Sequence, residues 1–371
     1  MADRVLKNAQ VLTENGTFVL TDLVLRDGVI ASVGATELPG EDLQGRYVVP
    51  GFVDIHTHGC AGGDHLDGTL EKTEAICRRM AQVGTTTVLA TVMTQSRENM
   101  LQGVRNAAAY SRRRDGARVR GIYLEGPFFC DTYRGAQHPD HLMDPDLAYL
   151  NELQQAAEGL VRIVSLAPEK DGALKLIPKA APIRVFLGHT AADYDTAKAA
   201  FAAGASGLTH AYNGMAPMHH RKPGALGAAM ETEGVFCECI CDGFHVHPAM
   251  VRLLYRQVGR ERFCVISDSL RPAGLPDGRY ESGGQPVTVK DGKAYLDSGT
   301  IAGSTTCMLE EVRNLVSWGI CSLADAAYAA STVPARAAGI YDQVGSITPG
   351  KAADLVILDQ DLQLCEVILG A

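Results

Sequence analysis

The chain has 371 residues, of which 46% are hydrophobic and 21% charged, and its formal net charge is −9 at pH 7. That length fits two domains or one large barrel with an appendage, and the composition supports a large core and excludes wholesale disorder. Because an acidic surface repels phosphate backbones and anionic lipids, we expect neither nucleic acid nor a membrane as a partner.

The sequence also bears on the compartment. No apolar run approaches the ~20 residues that span a bilayer. The N-terminal segment meets Asp3 and Lys7 before an apolar stretch could form, so no signal peptide is expected. We therefore predict a cytoplasmic protein whose ten cysteines are reduced thiols.

Both ends of the chain are predicted to be rich in β-structure. In residues 5–33, short β-prone runs are separated by Asn15-Gly16 and Asp27-Gly28, which favour hairpin turns. The segments 353–359 and 365–369 have the same character. We therefore predict that residues 1–50 and 342–371 build one small domain together.

The middle of the chain, residues 51–341, alternates apolar runs with segments of helical period. The apolar runs, interpreted as strands, are 51–55, 86–91, 119–124, 161–167, 183–187, 205–209, 235–240 and 263–266. The segments of helical period include 70–83, 98–112, 194–203 and 248–258. This alternation predicts parallel strands with crossover helices, and eight strands close a (β/α)8 barrel. An open doubly wound sheet is the alternative, but no Gly-x-Gly-x-x-Gly turn follows a strand.

Ionisable residues recur where the predicted strands end, which is where barrels carry their functional side chains. They are His56, His58, Glu125, His189, His210, Asp242, His245 and Asp268. Each histidine alone could be a hydrogen-bonded barrel residue. Burying so many ionisable groups without an ion would be costly, and imidazole with carboxylate is the ligand set of zinc or iron. The pattern therefore predicts a metal site.

A second cluster, Cys237, Cys239 and Cys241, has the residue type of a metal site but the wrong spacing. On a strand, alternate sulfurs lie about 7 Å apart along one face, unlike the turn of a Cys-x-x-Cys site. We predict that these three cysteines are core residues.

Longer motifs surround the ionisable residues. In chain order they are PGFVDIHTH (50–58), LEGPF (124–128), GHT (188–190), THAYNGM (209–215), HRKPG (220–224), CDGFHV (241–246), SD (267–268), PAG (272–274) and IAGS (301–304). With them the chain resembles the metal-dependent amidohydrolase superfamily and, within it, the N-acetylglucosamine-6-phosphate deacetylase family. The resemblance covers nearly the whole chain. It implies a (β/α)8 barrel with a small β-sandwich made from both termini.

The resemblance implies Glu125, His189 and His210 as metal ligands and Asp268 as the catalytic base and acid. Members of the superfamily often bridge two ions with a carboxylated lysine on the fourth strand. The segment 161–169 ends without such a lysine, so we expect Glu125 in its place. Because the pair His56 and His58 is present, one or two divalent ions, zinc or iron, are implied.

The resemblance also implies a small phosphorylated amino sugar as the substrate. The residues that it implies for substrate binding are Ala136, Gln137, His138, Asn213, Gly214, Arg221, Asp242, His245, Ile301, Ala302 and Gly303. The family often carries histidine where this chain has Gln137, so either Gln137 or the following His138 could contact the scissile carbonyl. Arg221 suits a phosphate, and in the family it often comes from a neighbouring subunit, which implies a homodimer.

The implied activity is hydrolysis of N-acetyl-D-glucosamine 6-phosphate to glucosamine 6-phosphate and acetate, in amino-sugar catabolism. A deacetylase for the galactosamine epimer would share every catalytic residue. A non-catalytic sugar-phosphate-binding protein is the alternative from another class, and Asp268 argues against it because binding alone needs no proton carrier. An amidohydrolase for cyclic amides is disfavoured by Glu125 and by the loop that carries Asn213 and Arg221.

Overall fold

The computed structural model describes residues 3–370. Its strands, in chain order, are β1 (Arg4–Leu12), β2 (Phe18–Arg26), β3 (Val29–Val33), β4 (Glu41–Asp42), β5 (Tyr47–Pro50), β6 (Phe52–Thr57), β7 (Gly59–Cys60), β8 (Gly63–Asp64), β9 (Thr85–Met93), β10 (Arg118–Glu125), β11 (Val161–Leu166), β12 (Arg184–Leu187), β13 (Gly207–Leu208), β14 (Phe236–Cys239), β15 (Phe263–Val265), β16 (Gly278–Ser282), β17 (Gln285–Lys290), β18 (Lys293–Leu296), β19 (Leu355–Leu358) and β20 (Leu364–Ile368). The α-helices are α1 (Leu70–Gln82), α2 (Arg97–Tyr110), α3 (Leu147–Ala156), α4 (Ala173–Leu176), α5 (Tyr194–Ala202), α6 (Gly224–Glu231), α7 (Pro248–Val258), α8 (Met308–Ser317) and α9 (Leu323–Ala337).

Eight parallel strands form the central sheet, in the order β15-β14-β13-β12-β11-β10-β9-β6. All eight strands predicted from the sequence are among them. The two end strands meet through hydrogen bonds at their carboxyl ends, where Asp268 N–H donates to His56 O at 2.9 Å and His58 N–H donates to Ser269 O at 2.9 Å. The (β/α)8 architecture is therefore confirmed.

Residue alternation decides which side chains enter the barrel. In β10, Ile122 and Leu124 pack outward in the cluster shared with the helices, whereas Tyr123 packs in the interior cluster. In β14, Cys237 and Cys239 are likewise buried in the outer cluster, which confirms their prediction as core residues. Because successive side chains of a strand point to opposite faces, the residues that alternate with these outward ones in the two strands face the barrel axis.

The surrounding helices begin at side chains that accept hydrogen bonds from their first turns. Thr69, Ser96, Asp193 and Ser322 cap α1, α2, α5 and α9 in this way. Such caps satisfy backbone N–H groups that have no partner inside the helix. No helix in residues 3–370 is long and apolar enough to cross a membrane.

Strands from both ends of the chain share one seven-stranded sheet, in the order β20-β19-β5-β1-β2-β3, with β4 paired to β1. Its strand β19 pairs antiparallel with β5, so the C-terminal strands join directly to the N-terminal ones. The division of the chain into domains at 50/51 and 341/342 stays a prediction.

A three-stranded antiparallel sheet, β16-β17-β18, follows the last barrel strand. We call it the cover sheet. It has its own small apolar cluster, which includes Leu270, Val287 and Ala302. Its β16–β17 turn reaches back across the barrel mouth, where Gln285 Nε2 donates to Ala136 O at 2.5 Å and Gln95 Nε2 donates to Gly283 O at 3.2 Å. This sheet was not predicted from the sequence.

Candidate active site

Three side chains from different barrel strands converge at the mouth of the barrel. Glu125 ends β10, and His189 and His210 follow β12 and β13. Glu125 Oε1 lies 3.1 Å from His189 Nε2 and 3.1 Å from His210 Nε2, and the two Nε2 atoms are 3.1 Å apart. All three residues are buried. They form one of the groups whose ligand atoms are close enough to share a metal ion.

The hydrogen bonds of the two imidazoles fit a cation between them. His189 Nδ1 lies 2.9 Å from Tyr133 O, and His210 Nδ1 lies 3.2 Å from Asn213 O. Because a carbonyl oxygen only accepts, each Nδ1 must carry the proton. In the neutral rings both Nε2 lone pairs then face each other and the Glu125 carboxylate. This donor set is suited to a divalent cation, and backbone carbonyls that orient metal-binding histidines are common around such ions.

A second group lies beside the first and shares Glu125. His58 Nε2 is 3.4 Å from Glu125 Oε2 and 3.1 Å from Asp268 Oδ1. His56 Nε2 is 3.5 Å from Glu125 Oε1. His56 Nε2 is buried without a hydrogen-bond partner. Buried polar atoms in native proteins normally have partners, so this nitrogen fits the role of a ligand to a cation. His56, His58 and Glu125 are a second candidate metal group.

The acidic side chains of the site have shifted pKa values. Burial raises the pKa of Glu125, but the contacts of its carboxylate with the His189 and His210 rings outweigh burial and hold the pKa well below its ordinary range. Burial likewise raises the pKa of Asp268, and the neighbouring His56 and His58 bring it below its ordinary value. Both carboxyl groups are therefore ionised, so that each could bind a cation or accept a proton.

A buried carboxylate that the sequence analysis missed, Glu238 in β14, lies behind the metal-site residues. Glu238 Oε2 is 3.0 Å from His56 Nδ1 and accepts a hydrogen bond from the backbone N–H of His210 at 3.1 Å. The signal was present in the sequence, because Glu238 lies between Cys237 and Cys239 on the opposite, inward face of the strand.

The backbone is in the left-handed region at three of the candidate site residues. His189, His210 and Asp268 have φ values of 45°, 26° and 48°. Such values are costly for residues with a Cβ atom, and they concentrate at functional sites. Gly214 also has a positive φ of 55°, and a Cβ there would lie 2.8 Å from His189 Nδ1. A side chain at position 214 would therefore displace an imidazole of the site.

A cavity of about 480 Å³ opens above these groups. Of the residues predicted from the sequence, those that line it are His58, Glu125, Ala136, Gln137, His189, His210, Asn213, Gly214, His245, Asp268, Ile301, Ala302 and Gly303. His56 lies beneath the cavity rather than in its wall and is fully buried. The cover sheet contributes Ser282, Val287 and Leu296 to the lining.

Gln137 and His138, which the sequence left as alternatives, have different surroundings. Gln137 is buried and lines the cavity; its Oε1 accepts from Thr94 N–H at 3.0 Å, and its Nε2 donates to Glu125 Oε2 at 2.6 Å. His138 caps the short turn Pro139–His141 and stacks on His141. Only Gln137 of the two is among the cavity-lining residues of the described chain.

Asp242 and His245 act as a pair. Asp242 Oδ2 lies 2.7 Å from His245 Nδ1, and Asp242 Oδ1 accepts from the backbone N–H groups of Phe244 and His245 at 2.8 Å each. His245 lines the cavity, whereas Asp242 is not in its wall. Burial raises the pKa of Asp242, but its bonds to His245 bring that pKa below the ordinary value. The carboxylate therefore fixes the ring that faces the cavity.

Arg221 lies apart from the other predicted site residues. It is exposed, and its guanidinium donates to the neighbouring His220 Nε2 at 2.6 Å. It is not among the residues that line the cavity. Within residues 3–370, the lining contains histidines but neither lysine nor arginine.

The comparisons with known proteins agree with this geometry. The model of the amidohydrolase family matches residues 47–369. The chain belongs to the amidohydrolase family. This family is metal-dependent, which accords with the two candidate metal groups. The chain is 40% identical over 383 residues to the N-acetylglucosamine-6-phosphate deacetylase of Bacillus subtilis (strain 168), and the match covers 100% of this chain and 96% of that protein.

Two further relatives bear on the substrate and on the fold. The N-acetylgalactosamine-6-phosphate deacetylase of Escherichia coli O157:H7 is 37% identical over 98% of this chain and 97% of its own length. A variant of N-acetyl-D-glucosamine-6-phosphate deacetylase from Mycobacterium smegmatis, solved in complex with N-acetyl-D-glucosamine-6-phosphate, superimposes with a TM-score of 0.93 at 36% identity. That match covers 100% of this chain and 98% of the other.

Proposed function

We propose that this amidohydrolase removes the acetyl group of N-acetyl-D-glucosamine 6-phosphate, giving D-glucosamine 6-phosphate and acetate in amino-sugar catabolism. The observation that carries the proposal is the buried Glu125, His189 and His210 cluster with Asp268 beside it at the mouth of the barrel. Full-length similarity to a deacetylase at 40% identity supports it. The amide C–N bond breaks, water oxygen bonds to the carbonyl carbon, and the nitrogen gains a proton.

Glu125, His189 and His210 would hold one divalent ion, and His56 and His58 with Glu125 a second. When bound, such an ion acidifies a water molecule and polarises the carbonyl group. Zinc and iron both suit imidazole and carboxylate ligands. Gln137 bonds to Glu125 Oε2, which leaves Oε1 directed at His189 and His210.

Asp268 is proposed to move the proton. Its carboxylate is ionised and lies at the floor of the cavity, where it accepts a proton from the attacking water. It then gives that proton to the leaving nitrogen, because an amine leaves far more readily than an amide anion. The side chains of Gln137 and His245 supply hydrogen-bonding groups for the carbonyl and the sugar.

The described lining of the cavity contains histidines but neither lysine nor arginine, so a guanidinium that binds the phosphate has to come from outside this wall. We propose that the enzyme is a homodimer in which the partner subunit's Arg221 binds the phosphate. Exposure of Arg221 supports this, because the guanidinium is accessible to a second copy. A guanidinium can donate two parallel hydrogen bonds to a phosphate.

The galactosamine epimer is the second candidate substrate, and the 37% identical galactosamine relative favours it. The two sugars differ in the orientation of one hydroxyl group, and the proposed chemistry is the same for both. We place the reaction in the cytoplasm, which is supported by ten cysteines that are all free thiols.

The test is acetate release from the two 6-phosphorylated epimers and from unphosphorylated N-acetylglucosamine, with protein of known metal content. We expect turnover of the glucosamine compound to exceed that of the other two. Preference for the galactosamine compound would assign the second candidate. Absence of acetate from all three with metal-loaded protein would refute the proposed function.

A further inference from the structure

The cavity has two chemically different sides. Asn213 and His245, which follow β13 and β14, bring polar groups to one side. Met93 at the end of β9 and Ala136 after β10 contribute apolar groups to the other. In the strand order of the barrel, β9 and β10 stand four places from β13 and β14, so the two sides face each other across the mouth.

The apolar side is completed by Leu270, Val287 and Ala302. All three line the cavity and are nearly fully buried, with exposed fractions of 3%, 1% and 3%. They belong to the apolar cluster of the cover sheet, against which Ala136 also packs. We call Met93, Ala136, Leu270, Val287 and Ala302 together the apolar wall.

The apolar wall is tied to the proposed proton carrier. Leu270 N–H donates to Ser304 O at 2.9 Å, and Ser304 N–H donates to Asp268 O at 2.7 Å. A Cβ at Gly303 would lie 2.5 Å from Asp268 O and 3.1 Å from Leu270 Cδ2. Leu270 is therefore held at a fixed position next to Asp268.

The chemistry of the substrate decides which of its parts lies against the polar side of the cavity and which against the apolar side. On one side of the scissile amide is a sugar with hydroxyl groups and a phosphate, and on the other is an alkyl group. Packing hydroxyl groups against leucine and valine would leave them without hydrogen bonds, which is costly. The alkyl group loses nothing there, since it has no polar atoms.

We propose that the apolar wall is an acyl subsite and that Leu270 limits the length of the acyl chain that the enzyme removes. This rests on the proposed function and extends it to the acyl half of the substrate. A closed apolar pocket discriminates against one extra methylene by about 10–200-fold. N-propionyl and N-butyryl amides of the sugar phosphate are therefore poor substrates of the natural enzyme, and a shorter residue 270 admits them.

The experiment measures kcat/KM of the metal-loaded enzyme for N-acetyl, N-propionyl and N-butyryl glucosamine 6-phosphate. In Leu270→Ala, the ratio of propionyl to acetyl activity is expected to rise by at least about tenfold. Leu275→Ala is the matched control, because Leu275 is on the same segment but is 37% exposed and does not line the cavity. The ratio of propionyl to acetyl activity in Leu275→Ala should equal that of the natural enzyme.

Each ratio comes from one preparation, so a partly unfolded variant does not alter it. If Leu270→Ala yields no folded protein, Val287→Ala tests the same wall from the cover sheet, with the same expected direction. An unchanged ratio in the folded variant would overturn the proposal. An equal rise in KM for all three substrates would also overturn it, because it would mean that the wall contacts the sugar. Natural enzyme that releases no acid from any of the three would refute the proposed function itself.

Discussion

Glu238 Oε2 lies 3.0 Å from His56 Nδ1 and also accepts the backbone N–H of His210 at 3.1 Å, so one buried carboxylate orients two of the residues proposed to hold metal. The His56 ring, stacked on Tyr123 at 4.5 Å between ring centroids, then directs Nε2 toward Glu125. Carboxylates behind metal-binding histidines fix the ring orientation and raise the basicity of the ligand nitrogen.

Replacing Glu238 with leucine should therefore weaken metal binding without touching a ligand. We expect metal affinity to fall by about 10–100-fold, as for other such partners. Metal content after dialysis against a graded series of chelator concentrations measures this. The control is Cys239→Ala, because Cys239 follows Glu238 in β14 but its side chain lies on the outward face of the strand. Equal metal retention in both variants would contradict a role for Glu238 in orienting His56.

The two candidate metal groups should respond differently to loss of a ligand. His210→Ala removes a nitrogen of the Glu125 and His189 group, so we expect loss of the tightly held ion and of nearly all turnover, with the barrel still folded. His56→Ala should deplete only a second ion, where two are bound. Elemental analysis together with circular dichroism distinguishes these results. A fully occupied His210 variant would refute this ligand assignment.

The sequence predicted the strands well because apolar runs and strand–helix alternation reflect burial in the barrel directly. It predicted that the ionisable residues come together because they follow strands, and strand ends meet at one mouth. It did not predict the cover sheet, whose strand β17 alternates buried and exposed residues in a segment that is outside the barrel pattern. Nor did it separate the roles of Asp242 and His245, because their hydrogen bond depends on the fold of a loop.

Asp268→Asn tests the proton transfer. Asparagine has nearly the same shape but cannot accept the proton, so we expect kcat to fall by about 10²–10⁴-fold. Substrate affinity should change much less, because the side chain of Asp268 is proposed to act on the reacting atoms rather than on the sugar. Direct titration of substrate binding gives the affinity. Turnover near that of the natural enzyme at neutral pH would remove Asp268 from the mechanism.

Asp242 is expected to act through His245. Asp242→Asn keeps the size of the side chain but replaces a carboxylate oxygen that bonds to His245 Nδ1. The ring then loses a charge-assisted hydrogen bond, and we expect kcat/KM to fall by about tenfold, mainly through KM. His245→Ala should show the same pattern, and the double variant should be little worse than either. Additive losses would mean that Asp242 and His245 act independently.

If Arg221 binds the phosphate, its removal should affect the phosphorylated and the unphosphorylated sugar differently. Losing a charge-assisted contact that is shielded from water costs about 1.5–3 kcal/mol. Arg221→Ala should therefore lower kcat/KM for the phosphorylated sugar by about 10–100-fold. It should barely affect the unphosphorylated sugar, which offers nothing for the guanidinium to bind. An equal loss on both substrates would mean that Arg221 supports the fold or the dimer.

Mixing variants tests whether Arg221 acts across the dimer. In a dimer of one Arg221→Ala subunit and one Asp268→Asn subunit, one of the two sites combines an intact Asp268 with the partner subunit's Arg221. Random pairing then restores about a quarter of all sites, well above the activity of either variant alone. Arg221 acting within its own chain gives no such recovery, because every site of the mixed dimer then lacks one of the two residues. Activity of the co-refolded mixture, compared with that of each variant refolded separately, decides between these arrangements.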